Sequence, residues 1–255
     1  YRQFIIYVPS IYKSSQPTPL IFNFHARNSN ACKQMRYGDF RKISDTANFI
    51  ILHPQGLKDN SGVTHWSLGH SKIDDIGFLI SLYSHIVSNY NINLDRVYST
   101  GMSNGGYMSY YLACNMSDKI AAIASVTGAM GSFMQLNCRP IHPTPILEIH
   151  GTDDVIVPFN NIINGINYWR DYNNCNLIAD TTYIPNFNLE DLSTVEHIVY
   201  SNGNNNVSTE LFKIINGEHT WPGAKRLKGV TNYDINASIE IWKFFSRYDI
   251  NGLIN

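Results

Sequence analysis

The chain is 255 residues long, with an ordinary apolar share of 44% but only 15% charged residues, against roughly 25% in a typical soluble domain. That length fits one domain with a substantial core. A net charge of -1 with no long basic run excludes a phosphate-binding surface of the nucleic-acid kind, and the longest weakly polar run, residues 120–136, is too broken by Ser, Thr and Gly to read as a membrane span.

Residues 2–9 alternate and are rich in Ile, Tyr and Val, an opening strand ended by Pro9. A loop over 14–19 leads to residues 20–25, LIFNFH, a short apolar run of the kind that sits inside a parallel sheet. The pattern predicts a helix from about 37 to 48 and a buried strand over 49–53, stopped by Pro54. Residues 55–71 are polar and glycine-rich, with Trp66 among them, and read as an exposed loop. Asp74 and Asp75 then place negative charge at a helix N-terminus, and Ile76, Leu79, Ile80, Tyr83, Ile86 and Val87 follow one helical face to Tyr90.

Residues 96–98 form a strand end that runs into STGMSNGGY, a G-x-S-x-G pattern in which Ser103 occupies a tight turn before a helix over 107–114. Such a pattern arises by chance in about one chain in ten of this size, so its meaning depends on partners elsewhere. A strand over 120–126 follows, then a strand over 146–150, a helix over 161–172 and a polar connection over 175–191. Strands over 195–200 and 210–215 and an amphipathic helix over 235–248 complete the chain. This alternation predicts a single α/β domain over residues 1–255, with a mainly parallel central sheet covered by helices on both faces. Ligands of such sheets bind at the C-terminal ends of the strands.

A serine hydroxyl needs a base to take its proton and a third group to orient that base. The strand over 146–150 runs into GTDDVIVP, which sets Asp153 and Asp154 in a strand-end loop, either of them able to serve as the acid. His219 follows the last strand in the turn-rich segment GEHTWPG. The order serine, acid, histidine is the one found in α/β-hydrolases and differs from the trypsin-like and subtilisin-like orders. An oxyanion hole would take one amide from Asn104, directly after the serine, and one from the loop after the early central strand, where Arg27 is the expected donor.

Taken together, PLIFNFH with RNSN, HPQG, W with DDIGF, RVYSTGMSNGGYMSYYLAC, IHGTDDVIVPF and GEHTWPG resemble the polyhydroxybutyrate depolymerase and feruloyl esterase-like family of secreted α/β-hydrolases. The resemblance covers nearly the whole chain. It implies the α/β-hydrolase fold, an acid at Asp154, a base at His219 and no metal or other cofactor. It also implies a disulfide between Cys114 and Cys138, with no partner near Gly203 for Cys175. Two departures stand out. Ala26 replaces a glycine free to take positive φ in the oxyanion loop, and Glu218 replaces a glycine beside the base.

The four cysteines show no C-x-x-C spacing, against a zinc or redox motif. The chain opens on Tyr1 directly before a strand, as it would once a start methionine and leader had been removed, which permits a secreted or extracellular location. The leading expectation is a serine carboxylic ester hydrolase working through an acyl-enzyme on feruloyl or acetyl esters or hydroxybutyrate oligomers, small or oligomeric. The alternatives are a serine peptidase or acyltransferase on the same fold, and a catalytically weakened polysaccharide- or polyester-binding protein. Trp66 and Trp221 are the expected exposed aromatics for substrate contact.

Overall fold

Residues 20–22 and 49–52 are apolar on consecutive positions, so their strands need cover on both faces, and the chain supplies it with a helix layer on each side. The structure is a computed structural model describing residues 2–225 and 229–254; the predicted 1–255 domain therefore includes residues 1, 226–228 and 255, which lie outside the described residues. The first half runs β1 (Phe4–Tyr7), β2 (Thr18–Phe24), α1 (Ala31–Tyr37), α2 (Arg41–Ala47), β3 (Ile50–Pro54), β4 (Leu57–Lys58), β5 (Thr64–His65) and α3 (Asp75–Asn89). Then come β6 (Ile92–Met102), α4 (Asn104–Asn115), β7 (Ala122–Val126), α5 (Ser132–Asn137), β8 (Ile146–Gly151) and α6 (Asn160–Tyr172). The remainder is β9 (Asp180–Ile184), β10 (Thr194–Tyr200), β11 (Thr209–Ile215), α7 (Ala237–Phe245), β12 (Tyr248–Asp249) and β13 (Gly252–Leu253).

Among the described residues one sheet has the order β1-β3-β2-β6-β7-β8-β11-β10-β9. Its middle, from β3 to β11, is parallel, and antiparallel strands close both edges. Strand order reverses between β2 and β6, so the crevice beyond their C-terminal ends is a natural place for a ligand. Helices α3, α4 and α6 pack on one face, where Leu79, Leu82, Met108, Leu112 and Trp169 are buried. Helix α7 covers the other with Ile241, Phe244 and Phe245, joined by Ile43 and Ala47 of α2.

Three expectations change. The helix predicted over 37–48 is the shorter α2, started by Asp39 accepting from the Arg41 amide, and a further helix, α1, precedes it, with Asn30 capping it by accepting from the Lys33 amide. The loop over 55–71 contains the β4–β5 hairpin. The connection over 175–191 contains β9, a strand whose residues are almost all exposed, so no apolar alternation marks it. The short α5 was likewise unmarked.

Cys114 at the end of α4 bonds to Cys138 beyond α5, as the resemblance implied. Cys175 is buried and unpaired, and a Cβ at Gly203 would lie 2.9 Å from its Sγ. The Cys114–Cys138 bond closes a loop of 24 residues, and replacing both cysteines with alanine should cost roughly 2–4 kcal/mol, read as a lower denaturant midpoint with a somewhat larger m-value because the unfolded chain is freed to expand.

Candidate active site

Strand β6 delivers Ser103 at its C-terminal end with φ 54° and ψ -119°, and α4 begins at the next residue. A left-handed conformation is costly for a residue with a Cβ, by about 1–3 kcal/mol, and it is held by the Ser103 amide on Val126 O at 2.8 Å and the Ser103 carbonyl accepting from the Tyr107 amide at 3.0 Å. The turn packs tightly on β2: a Cβ at Gly105 would stand 2.2 Å from the Phe24 carbonyl, so only glycine fits there. This is the geometry that raises a side chain above the end of a sheet.

The loops after β8 and β11 are tied to each other because their strands are parallel neighbours. Thr152 N donates to Ile214 O at 2.9 Å, Asp153 N to Gly217 O at 3.0 Å, and Asn216 N to Thr152 Oγ1 at 2.8 Å. That stitching brings Asp154 and His219 together: His219 Nδ1 lies 2.6 Å from Asp154 Oδ2. The neighbouring Asp153 is exposed, its Oδ1 taken by the Thr152 hydroxyl, so of the two carboxylates it is Asp154 that meets His219. The other Asp154 oxygen accepts from the Ile156 and Val157 amides, both at 2.9 Å. Burial alone would raise the Asp154 pKa, but hydrogen bonds from His150, His219 and the Val157 amide outweigh it and hold the carboxyl well below the usual carboxylate range. With Nδ1–H donated to this carboxylate, the Nε2 lone pair of His219 is left to take a proton. Among the described residues Ser103 Oγ makes no hydrogen bond to His219; both stand at C-terminal ends of the same parallel sheet, Ser103 after β6 and His219 after β11.

Across the switch point, Phe24 of β2 is in register with Gly101 of β6, so the loop over 25–30 lies beside the serine turn. His25 is buried and accepts from the Gly56 amide at Nε2, 2.9 Å, which puts its proton on Nδ1, donated to Ala26 O at 2.8 Å. Burial lowers its pKa and keeps it neutral. The left-handed residue of this loop is Asn28, φ 58°, with its amide on Thr64 O, and Ala26 is not among the positive-φ residues. The glycine-to-alanine departure therefore falls where the backbone needs no glycine. The Arg27 side chain points away to Asp59, 2.6 Å, leaving only its backbone as the expected donor. The Asn104 amide opens α4, where no intrahelical carbonyl is in reach.

Trp66 and Trp221 are corrected from exposed to buried, each with 1% of its surface accessible. Trp66 Nε1 donates to His25 O at 3.0 Å, while its backbone exchanges two bonds with the Asn104 side chain, N to Oδ1 at 2.7 Å and Nδ2 to O at 3.2 Å. Trp221 packs edge-on against Phe40 and donates from Nε1 to Ser238 Oγ at 3.2 Å, fixing the His219 loop to α7. An indole with a buried N–H needs a partner, and both rings have one inside the protein. Glu218, expected beside the base, is exposed and has its carboxylate against Gly229.

Two residues went unassigned in the sequence. Glu148 and His150 are fully buried on β8, facing α4: Glu148 accepts from Tyr110 OH at 3.0 Å, and His150 Nδ1 lies 3.0 Å from Glu148 Oε1. His150 Nε2 reaches Val157 O at 2.8 Å and Asp154 Oδ2 at 3.3 Å. Their i, i+2 spacing on a strand puts them on one face, a signal that was present.

Fold and serine turn together define the class, an α/β-hydrolase. The phospholipase/carboxylesterase family profile matches residues 76–193. A bifunctional acetylxylan esterase/xylanase of Neocallimastix patriciarum is 27% identical over 72% of this chain and 26% of its own length. Feruloyl esterase B of Piromyces equi is 28% identical over 62% of this chain and 30% of its own, so the chain spans under a third of these relatives. An acetyl xylan esterase from Aspergillus awamori superposes with a TM-score of 0.72 at 14% identity, covering 95% of this chain and 93% of the other, which is a likeness of fold. Within that class the sequence is similar to proteins named as acetylxylan and feruloyl esterases.

Asn104→Ala would leave the Trp66 N–H and C=O without partners and should lower unfolding free energy by about 1–3 kcal/mol in denaturant titration. A pH effect is also expected. Burial would lower the His150 pKa, but its bonds to Asp154 and Glu148 push it up to about 9. Stability from this raised group is fully present below the unfolded value near 6.5 and is lost as pH climbs through 9. Thermal melts across that window should show the decline, and His150→Asn should flatten it.

Proposed function

We propose that this chain is a serine carboxylic ester hydrolase, with Ser103 as nucleophile, His219 as general base and then acid, and Asp154 as the group that orients and stabilises His219. The observation that carries this reading is the Asp154–His219 hydrogen bond, built from a buried carboxylate at the end of β8 and accompanied by a serine at positive φ at the end of β6. Ser103 Oγ attacks the ester carbonyl as His219 Nε2 takes its proton. The oxyanion is received by the Asn104 and Arg27 amides, and His219 returns the proton to the departing alkoxide, leaving an acyl-enzyme and an alcohol. Water repeats the sequence and releases the acid.

The substrates are acetyl or feruloyl esters, a reading supported by the names of the relatives, an acetylxylan esterase and a feruloyl esterase. Extracellular location is part of the same proposal. It is supported by the Cys114–Cys138 disulfide, a bond that persists in oxidising compartments. No helix among the described residues is long and apolar enough to cross a membrane.

Ser103→Ala should reduce 4-nitrophenyl acetate hydrolysis by roughly 10⁴-fold or more with the thermal melt intact; wild-type turnover by the variant would sink the proposal. A screen of methyl ferulate, acetylated xylan and 3-hydroxybutyrate oligomers should show turnover of one of the first two. Preference for the third, or for a peptide amide, would contradict the substrate assignment.

A further inference from the structure

Behind the Asp154–His219 pair the structure holds a second carboxylate and a second imidazole, neither reaching solvent. Both ring nitrogens of His150 face acceptors: Glu148 Oε1 at Nδ1, and the Val157 carbonyl with Asp154 Oδ2 at Nε2. A carbonyl oxygen can only accept, so Nε2 carries a proton. The other nitrogen shares one proton with Glu148, whose second oxygen is already occupied by the Tyr110 hydroxyl. A buried carboxylate with no cation beside it would be expensive, and His150 is the only cationic partner Glu148 has among the described residues.

We infer that Glu148 and His150 form an ion pair that positions the catalytic acid, with His150 an imidazolium at working pH that fixes Asp154 Oδ2 toward His219 and keeps Asp154 ionised through the reaction cycle. This rests on the triad reading above. The result is a continuous buried line, Glu148, His150, Asp154, His219, with links of 3.0, 3.3 and 2.6 Å. Asp154 Oδ2 thereby receives the His219 ring N–H with the His150 imidazolium Nε2 3.3 Å away, and Oδ1 receives two backbone N–H groups. The pair adds no net charge, which lets it sit in the core.

The titratable groups facing His150 are Glu148 on its own strand, Asp154 on the following loop, and Tyr110 and Tyr107 of α4 acting through those carboxylates; His219 lies beyond Asp154. Burial raises both tyrosines, so they stay neutral at physiological pH. Burial also pushes the Glu148 carboxyl up, opposed by its bonds to His150 and Tyr110, while His150 is pushed up to about 9 against its own burial by Asp154 and Glu148.

The test compares His150→Gln, Asp154→Asn and the double variant, each first checked by circular dichroism, in 4-nitrophenyl acetate hydrolysis. His150→Gln should lower kcat about tenfold at nearly constant KM and move the acid limb of kcat/KM to higher pH. In the Asp154→Asn background it should add no further loss, because it acts through Asp154. An unchanged kcat and pH profile, or losses that multiply, would overturn the inference. Should His150→Gln fail to fold, ¹⁵N-histidine spectra decide the point, taken on the wild-type protein and on His197→Gln, which removes the β10 histidine whose Nε2 lies 2.9 Å from the Glu210 carboxylate. Both should hold an imidazolium that does not titrate between pH 5 and 8, and a neutral His150 at pH 7 would overturn the proposal. A Ser103→Ala protein that still hydrolyses ester would sink the triad reading instead, a result independent of those spectra.

Discussion

Asp154 is a buried carboxylate, and a buried carboxylate survives folding only when its oxygens are supplied with hydrogens. Here three N–H groups do this, from the Ile156 and Val157 amides and His219, with His150 Nε2 a further 3.3 Å ion-pair contact to Oδ2. Much of the site follows from that requirement. The two amides come from the tight turn after β8, which sets the conformation of residues 154–157. His219 reaches the carboxylate because β11 lies parallel to β8 and the two strand-end loops are bonded to each other. His150 reaches it from within β8, two residues beyond its own partner Glu148.

The other side of the sheet's switch point obeys the same rule with neutral groups. His25, Trp66 and Asn104 link the loop after β2 to the first residue of the helix after β6 through backbone and side-chain hydrogen bonds. The Asn104 side chain pairs with both polar backbone groups of Trp66, much as a strand neighbour would. Two loops that would deliver amides to an oxyanion are thus fastened to each other and to the serine turn, which is the kind of preorganisation that electrostatic stabilisation requires. Ala26 is accommodated because the left-handed turn sits one residue past Arg27, at Asn28, whose side chain tolerates it.

The central strands and long helices were legible because burial on both faces leaves unbroken apolar runs, as in residues 20–22 and 49–52, and because Leu79, Tyr83 and Ile86 recur at helical spacing. The order Ser103, Asp154, His219 was legible for a different reason: strand ends in a parallel sheet converge on one edge, so chain order carries spatial meaning. What stayed hidden depends on contacts distant in sequence. Trp66 and Trp221 lie in polar, turn-rich segments and are buried by His25, Asn104, Phe40 and Ser238, residues from other parts of the chain. Strand β9 has no apolar face to advertise it. Glu148 and His150 looked like strand residues because nothing local shows that Tyr110 and Asp154 stand opposite them.

The central claim is that the Asp154–His219 pair activates Ser103, and covalent capture tests it most directly. A fluorophosphonate probe reacts with a serine only as fast as its proton is removed, so labelling rates with peptide mapping report on all three residues at once. The account predicts a single label on Ser103 in the wild-type protein, with the rate falling by several orders of magnitude in both His219→Ala and Asp154→Asn. A label on another residue, or undiminished labelling of Ser103 in either variant, would contradict it.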